Sequence, residues 1–225
     1  MVLSKRIETT PMTDQVYAML HEAILNGDLA AGTPLRFKEL AEQVGTSTMP
    51  VREALRRLEA AGLAERAPHR GVIVKEISLK ELVPVYEVRH MLEPQAARLG
   101  SLNISAEDCD RMEAEYVLLR EAFNEGRVVA LLDHDEAILS ILYGASGNPV
   151  LLQMIQTLWQ QCRAYKIVGA QGRLADGDDS LWHYQEELIA AARKNDADAA
   201  ASISDTSLTD ASNRIKEALA GQREG

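Results

Sequence analysis

The chain of 225 residues holds two cysteines, Cys109 and Cys162, in neither a CxxC nor a zinc-finger spacing. Such a pair reads as two reduced, semi-buried thiols and argues against a disulfide scaffold or a cysteine-ligated metal centre. Long apolar runs are missing too. No stretch of eighteen or more apolar residues occurs, and residues 1–12 lack the basic, apolar and small-residue zones of a secretory signal, so a cytoplasmic protein is expected. Nor is there a GxGxxG, a P-loop or a serine in a nucleophile-elbow setting, and the carboxylates fall on solvated helix faces. No enzyme is expected, and no membrane partner.

Hydrophobic residues make up 46% of the chain, enough for real cores in two domains. The net charge of −10 is unevenly spread: residues 1–78 carry ten Lys/Arg and ten Asp/Glu, whereas residues 79–225 carry fourteen and twenty-four. All the excess acid lies in the second part. A neutral first part with arginines gathered on one helix can dock on phosphates, while an acidic remainder is held off the duplex.

That helix is marked in Gly45-Thr-Ser-Thr-Met-Pro-Val-Arg-Glu-Ala-Leu-Arg-Arg-Leu58. Gly45 supplies a tight turn, Ser47 or Thr48 can cap, and Pro50 falls in the first turn, where its missing N–H costs little. Val51, Ala54, Leu55 and Leu58 form a buried stripe, while Thr48, Arg52 and Arg56 line the opposite side. Arg57 is expected to pair with Glu53 one turn earlier. Ahead of it, Thr13 caps a first helix carrying Val16, Met19, Leu20, Ala23 and Ile24 and stopped by Gly27. Asp28–Pro34 is a turn-rich link to a short helix, Phe37–Val44. After Gly62, Leu63–Arg66 and Val72–Lys75 read as two strands joined by Ala67–Gly71. Helix, helix, turn, helix and hairpin make a winged helix-turn-helix over residues 13–76, preceded by a mobile arm, 1–12, with Lys5 and Arg6.

Residues 13–75 resemble the DNA-binding domain of the GntR family of bacterial transcription regulators. The likeness is carried by Ala23–Gly27, Leu40-Ala-Glu42, Val44-Gly45, Pro50-Val-Arg-Glu-Ala-Leu55, Leu58–Leu63 and Arg70-Gly71. It implies DNA contact by Lys38, Ser47, Thr48, Met49, Arg52, Arg56, Arg70 and Gly71, with a solvated loop arginine the alternative for Arg70. One position departs. The family pattern places Ser-Arg-Thr-Pro before Val-Arg-Glu-Ala-Leu, but Thr48 here stands in the arginine's place. Arginine reads guanine bidentately and threonine cannot, so a different operator base is expected.

Residues 79–221 read as helices throughout, an antiparallel bundle. In the first, Leu82, Val85, Val88, Leu92 and Ala96 form a stripe, and Pro84 and Pro94 should break or kink it. Ser105 caps the next, which runs to Asn124; Val128–Tyr143, Val150–Val168, Ser180–Lys194 and Ala197–Ala220 follow, with a Gly/Asp loop over 169–179. The whole chain is therefore mainly α, an N-terminal winged helix-turn-helix plus a C-terminal antiparallel helical bundle. The bundle resembles the ligand-binding domain of the family's FadR-type branch, through Tyr86–Arg89, Leu92-Glu93, Asp135 to Ala145–Pro149, and Asn195-Asp196.

That resemblance implies a divalent metal held by an Asp, a His four residues later and two further His from the last two helices. Here the four positions are Asp135, Leu139, Gln185 and Ser207, so all three histidines are missing. His134 and His183 do not replace them; His134 points about 100° away from Asp135 on the helix, and both read as surface residues. No metal cofactor is expected. The implied effector is an organic acid with an apolar body, met by Arg89, Asp135, Leu139, Arg163, Gln185 and Ser207. Arg89 could instead pair internally with Glu93 or Asp135. The expected protein is a homodimeric regulator, a ligand-responsive repressor on a palindromic operator. Its alternative is a constitutive DNA-binding module whose bundle is only a dimerisation scaffold.

Overall fold

The chain divides into two compact units, Met1–Glu76 and Ile77–Gly225, and the computed structural model describes residues 11–75, 78–176 and 182–224 of them. The expected N-terminal arm lies outside the described residues up to residue 10. The first unit holds α1 (Met12–Leu25), α2 (Phe37–Gln43), α3 (Thr48–Ala60), β1 (Ala64–Ala67) and β2 (Gly71–Val74). Val16, Leu20 and Ile24 of α1, four residues apart, bury one stripe against Val51, Ala54, Leu55 and Leu58 of α3. The turn between α2 and α3 depends on Gly45, whose φ of +67° suits a residue without a Cβ. Its neighbour Thr46 donates its N–H back to the Ala41 carbonyl at 2.9 Å.

Two expected caps are not made. Thr13 lies inside α1, whose N-cap is Pro11. Ser47 is the N-cap residue of α3 and Thr48 its first helical residue, but no side chain caps that end. Antiparallel β1 and β2 pair Ala64 with Val74 through Ala67 with Gly71. The link before α2 does more than turn. Leu35 donates to the Val72 carbonyl at 2.8 Å, and Val74 donates to that of Thr33 at 2.9 Å, so residues 33–35 fill the outer edge of β2. That edge is thereby satisfied rather than left open.

The second unit contains α4 (Leu79–Asn103), α5 (Ala106–Asn124), α6 (Val128–Gly144), α7 (Pro149–Asp176), α8 (His183–Arg193) and α9 (Ala197–Glu224). Ser78 opens α4 with a capping box: it accepts from the Glu81 N–H at 3.3 Å while its own N–H donates to the Glu81 carboxylate at 2.9 Å. Contrary to expectation, α4 runs unbroken through Pro84 and Pro94. Each proline costs the helix about 3 kcal/mol, and packing of α4 along α9, α6 and α7 outweighs that cost. The α7 helix likewise continues through Gly169 to Asp176, where a loop was expected, because Ile167 and Ala170 are buried in the bundle core. The rest of the expected loop, 177–179, lies outside the described residues.

The expected stripe on α4 is also displaced. Its buried residues are Leu82, Tyr86, Arg89, Glu93, Ala96, Ala97, Gly100 and Ser101, whereas Val88 is exposed. A buried arginine and glutamate in mid-stripe mean that this face looks onto something polar. Two apolar clusters flank it: one built on Leu82, Tyr86, Cys162, Leu208 and Ile215, the other on the main core around Leu131, Ile138, Leu142, Ile155 and Trp159.

Candidate functional site

On the first unit, α3 presents the residues expected to meet DNA. Met49 is 72% exposed, Arg52 and Arg56 are exposed one turn apart, and Thr48 is half-buried at the helix start. Local contacts hold both arginines. The Arg52 guanidinium lies 4.8 Å over the Phe37 ring, and Arg56 donates to Glu53 at 2.6 and 3.0 Å. Arg57 was expected to take Glu53. It lies instead on the flank facing α1, donating to Asp14 at 2.5 Å over the Tyr17 ring. Lys38 is exposed on α2, and the wing tip carries exposed Arg70 just before Gly71 opens β2. His69, with φ +61°, takes the strained position of that turn. A helix with cationic side chains on its exposed side and a basic wing tip beside the hairpin can reach groove edges and phosphates.

In the second unit a cavity of about 170 Å³ lies where α4, α6, α7, α8 and α9 converge. Arg89 enters from α4, only 6% exposed. Its Nε donates to Glu93 at 2.6 Å and its guanidinium stacks 4.5 Å over Tyr86. Glu93 also accepts from Trp159 Nε1 at 3.0 Å and from the Tyr143 hydroxyl at 3.4 Å. Burial opposes the Arg89 charge, but Glu93 outweighs it and holds the guanidinium pKa well above its ordinary value. The same burial, with Glu93 beside it, pushes the Tyr143 phenol well above its usual range. The terminal nitrogens of Arg89 meet no carboxylate or carbonyl among the described residues, although the Cys162 thiol lies close. With one hydrogen bond given to that thiol, the remaining terminal N–H donors are left for something in the cavity.

Asp135 forms the other polar centre. Lys166 of α7 donates to Asp135 Oδ2 and to Glu136 Oε1, each at 3.3 Å, and the Gln185 amide N–H donates to Asp135 Oδ1. Burial pushes the Asp135 carboxyl above the ordinary carboxylate range against the pull of Lys166. Burial also opposes the Lys166 charge, yet Glu136 and Asp135 prevail and raise its pKa. With its amide N–H committed, Gln185 keeps a buried Oε1 that has no partner among the described residues. The Ser207 hydroxyl lines the same cavity and likewise has no partner among the described residues.

Of the six residues expected at an effector site, Arg89, Asp135, Leu139, Gln185 and Ser207 line this cavity and Arg163 does not. Arg163 turns to α6, bound to Asp133 and, at 3.1 Å, to Glu136. It sits one position off the stripe Ile155, Trp159, Cys162, Lys166, Ala170 that faces inward. Lys166 in that stripe escaped the sequence reading, whereas the internal Arg89–Glu93 pair is one of the two alternatives the sequence left for Arg89. The signal was present: a lysine at i+4 from Cys162 and i+7 from Trp159 in an otherwise apolar stripe. His134 is half-buried rather than exposed, its Nδ1 2.7 Å from Glu115, and His183 is exposed beside Glu187.

The metal implied by the sequence resemblance can be tested against these side chains. Leu139 offers no donor, the Gln185 amide spends its N–H on Asp135, and Lys166 brings a positive charge to the carboxylate an ion would need. Among the described residues no three His, Cys, Asp or Glu gather as a metal site. The residues present do not fit such an ion.

A winged helix-turn-helix with an exposed arginine-bearing helix, joined to a helical bundle with an internal polar cavity, defines a DNA-binding regulator with an all-helical second domain. The chain belongs to the GntR family of bacterial regulatory proteins: that family's model matches residues 12–74, and the FCD domain model matches residues 84–210. It is 30% identical over 154 residues to the HTH-type transcriptional regulator McbR of Escherichia coli, covering 68% of this chain and 70% of that one. The galactonate operon transcriptional repressor of Escherichia coli is 27% identical over 235 residues, 93% of this chain and 99% of its own. A probable D-xylose utilization operon repressor of Paenarthrobacter nicotinovorans is 42% identical over 100 residues, 44% of each chain. Escherichia coli McbR/YncC shares the fold at a TM-score of 0.79, with 24% identity over 94% of this chain and all of that one. A GntR regulator from a Rhodococcus species does so at 0.80, with 21% identity over 93% and 99%.

Proposed function

We propose that this DNA-binding regulator is a cytoplasmic, homodimeric, ligand-responsive repressor on a palindromic operator, and that its effector is a small hydroxylated carboxylate bound in the bundle cavity. The observation that carries the ligand is Arg89: a buried guanidinium, fixed through Nε by Glu93, with its terminal nitrogens turned to no oxygen of the described chain. A carboxylate satisfies such a fork in two parallel bonds. Ser207 and the Gln185 Oε1 supply a donor and an acceptor for a hydroxyl. An apolar cavity of about 150 Å³ admits benzene, so about 170 Å³ suits a ligand on the order of seven non-hydrogen atoms. The sugar-acid operon in the name of one long-aligning relative supports the same ligand class.

The homodimer is supported by exposed apolar side chains on two packed helices, Val88 and Met91 of α4 and Val150 and Met154 of α7, which a second copy would cover. Ligand binding would favour one placement of the paired winged helices; a coupling of ~1–3 kcal/mol changes DNA affinity ~5–150-fold. The test is a thermal-shift screen of small hydroxy acids followed by operator titration with any hit. A hit that raises the melting temperature, weakens operator binding and loses its effect in Arg89→Met is expected. If no acid shifts the melting temperature, the bundle is a dimerisation scaffold and the protein a constitutive DNA-binding module.

A further inference from the structure

We propose that Lys166 stands in the place of a divalent ion, so that this bundle is a metal-free receptor whose resident cation is a side chain. The four positions at which the family resemblance puts metal ligands, Asp135, Leu139, Gln185 and Ser207, all face one cavity, so the ion's place is defined by this chain's own walls. Both oxygens of Asp135 are already covered there, one by the Lys166 ammonium at 3.3 Å and the other by the Gln185 amide N–H. A bound transition ion would sit about 2.0–2.2 Å from a carboxylate oxygen. It would have to displace one of these donors and lie beside a like charge.

The changes at the other positions agree with one another. An ion needs several lone pairs converging on it, whereas an ammonium needs acceptors converging on it. Leu139 supplies no lone pair, and Gln185 faces Asp135 as a donor. Meanwhile Asp135 and Glu136 both accept from Lys166. Two of its three N–H groups are thus used, and the third has no partner among the described residues. Lys166 is largely buried on a wall of the cavity, as Arg89 is. A ligand anion would meet these two side-chain cations and no metal. Only this last contact rests on the effector reading above; the replacement of the ion stands on the geometry around Asp135.

Zinc binding tests it without any effector. The wild-type protein, dialysed against EDTA, should keep its melting temperature and gain nothing when zinc is returned. Leu139→His, Gln185→His and Ser207→His together with Lys166→Met should create a site that binds one zinc per chain by calorimetry. The same three histidines with Lys166 retained should bind at least about tenfold more weakly. Wild-type protein that carries stoichiometric metal, or loses stability to EDTA, overturns the proposal, and that measurement stands even if the multiple variants fail to fold. Equal zinc affinity with and without Lys166 overturns it too, as does the absence of binding in both. A screen without effector hits would sink the ligand reading and leave the zinc result untouched.

Discussion

Replacing Gly100 by alanine asks the α4–α6 contact a question with two opposite answers. In an exposed helix interior, Gly→Ala stabilises by about 1 kcal/mol, because alanine loses less backbone entropy on folding. At Gly100 an added Cβ would stand 1.9 Å from the carbonyl oxygen of Leu142 and 2.9 Å from its carbon. The obstacle is backbone, so no rotamer relieves it. Restoring ordinary contact near ~3.5 Å would part the two helices by about 1.5 Å, at a place where Ala96, Ala97, Ile138 and Leu142 are fully buried. Overpacking of this kind costs typically 1–3 kcal/mol, and a rigid backbone neighbour puts it at the upper end. Subtracting the propensity gain leaves a net loss of about 2 kcal/mol, or ~4–8 °C in melting temperature at ~2–4 °C per kcal/mol. The chain's two tryptophans, Trp159 and Trp182, are both buried in the bundle, so tryptophan fluorescence on heating follows this unit alone. A Gly100→Ala variant that melts higher than wild type would refute the close approach.

Thr48→Arg should move the preferred operator base at the position this residue reads toward guanine in a binding-site selection, because only arginine offers the bidentate pairing; an unchanged consensus refutes a base-reading role. Arg56→Gln should lower the slope of log Kobs against log[salt] by about 0.9, one phosphate contact fewer. An unaltered slope would mean that Arg56 stays with Glu53 on DNA. The folded-state pKa of Asp135 is raised by burial, so its contribution to stability is fully present below the unfolded carboxylate value of about 3.9 and is lost as pH rises through the folded value. Relative to Asp135→Asn, wild type should therefore lose urea stability from about pH 4 upward, and a constant difference across that range would contradict the raised pKa.

The DNA-binding half was legible because its signals are local. A glycine turn, a four-residue apolar spacing on α1 and a Val51, Ala54, Leu55, Leu58 stripe each constrain their own element, and the elements then have one way to bury their stripes together. The misreadings in the bundle share the opposite cause. Pro84, Pro94 and Gly169 carry real local penalties, and a helix continues through each because neighbouring helices supply packing that no window of sequence displays. Arg57 illustrates the same limit at one side chain: its sequence neighbour Glu53 was the local choice, while Asp14, forty-three residues away, is its partner across the α1–α3 contact.

The cavity shows where the local and the distant meet. Position by position, counting from neighbouring landmarks placed Asp135, Leu139, Gln185 and Ser207 on one wall system, since helix register over short distances is rigid. What counting could not supply is the partner of each. Arg89 had two carboxylates to choose from and takes Glu93, because i, i+4 spacing puts the two side chains on one helix face. That leaves Asp135 to be neutralised by another element, and α7 delivers Lys166 from its inward-facing stripe. A buried carboxylate without a counter-charge costs several kcal/mol. The loss of three histidine ligands was therefore itself a signal that some cation had to enter the stripe facing Asp135, and Lys166 is the lysine in that stripe.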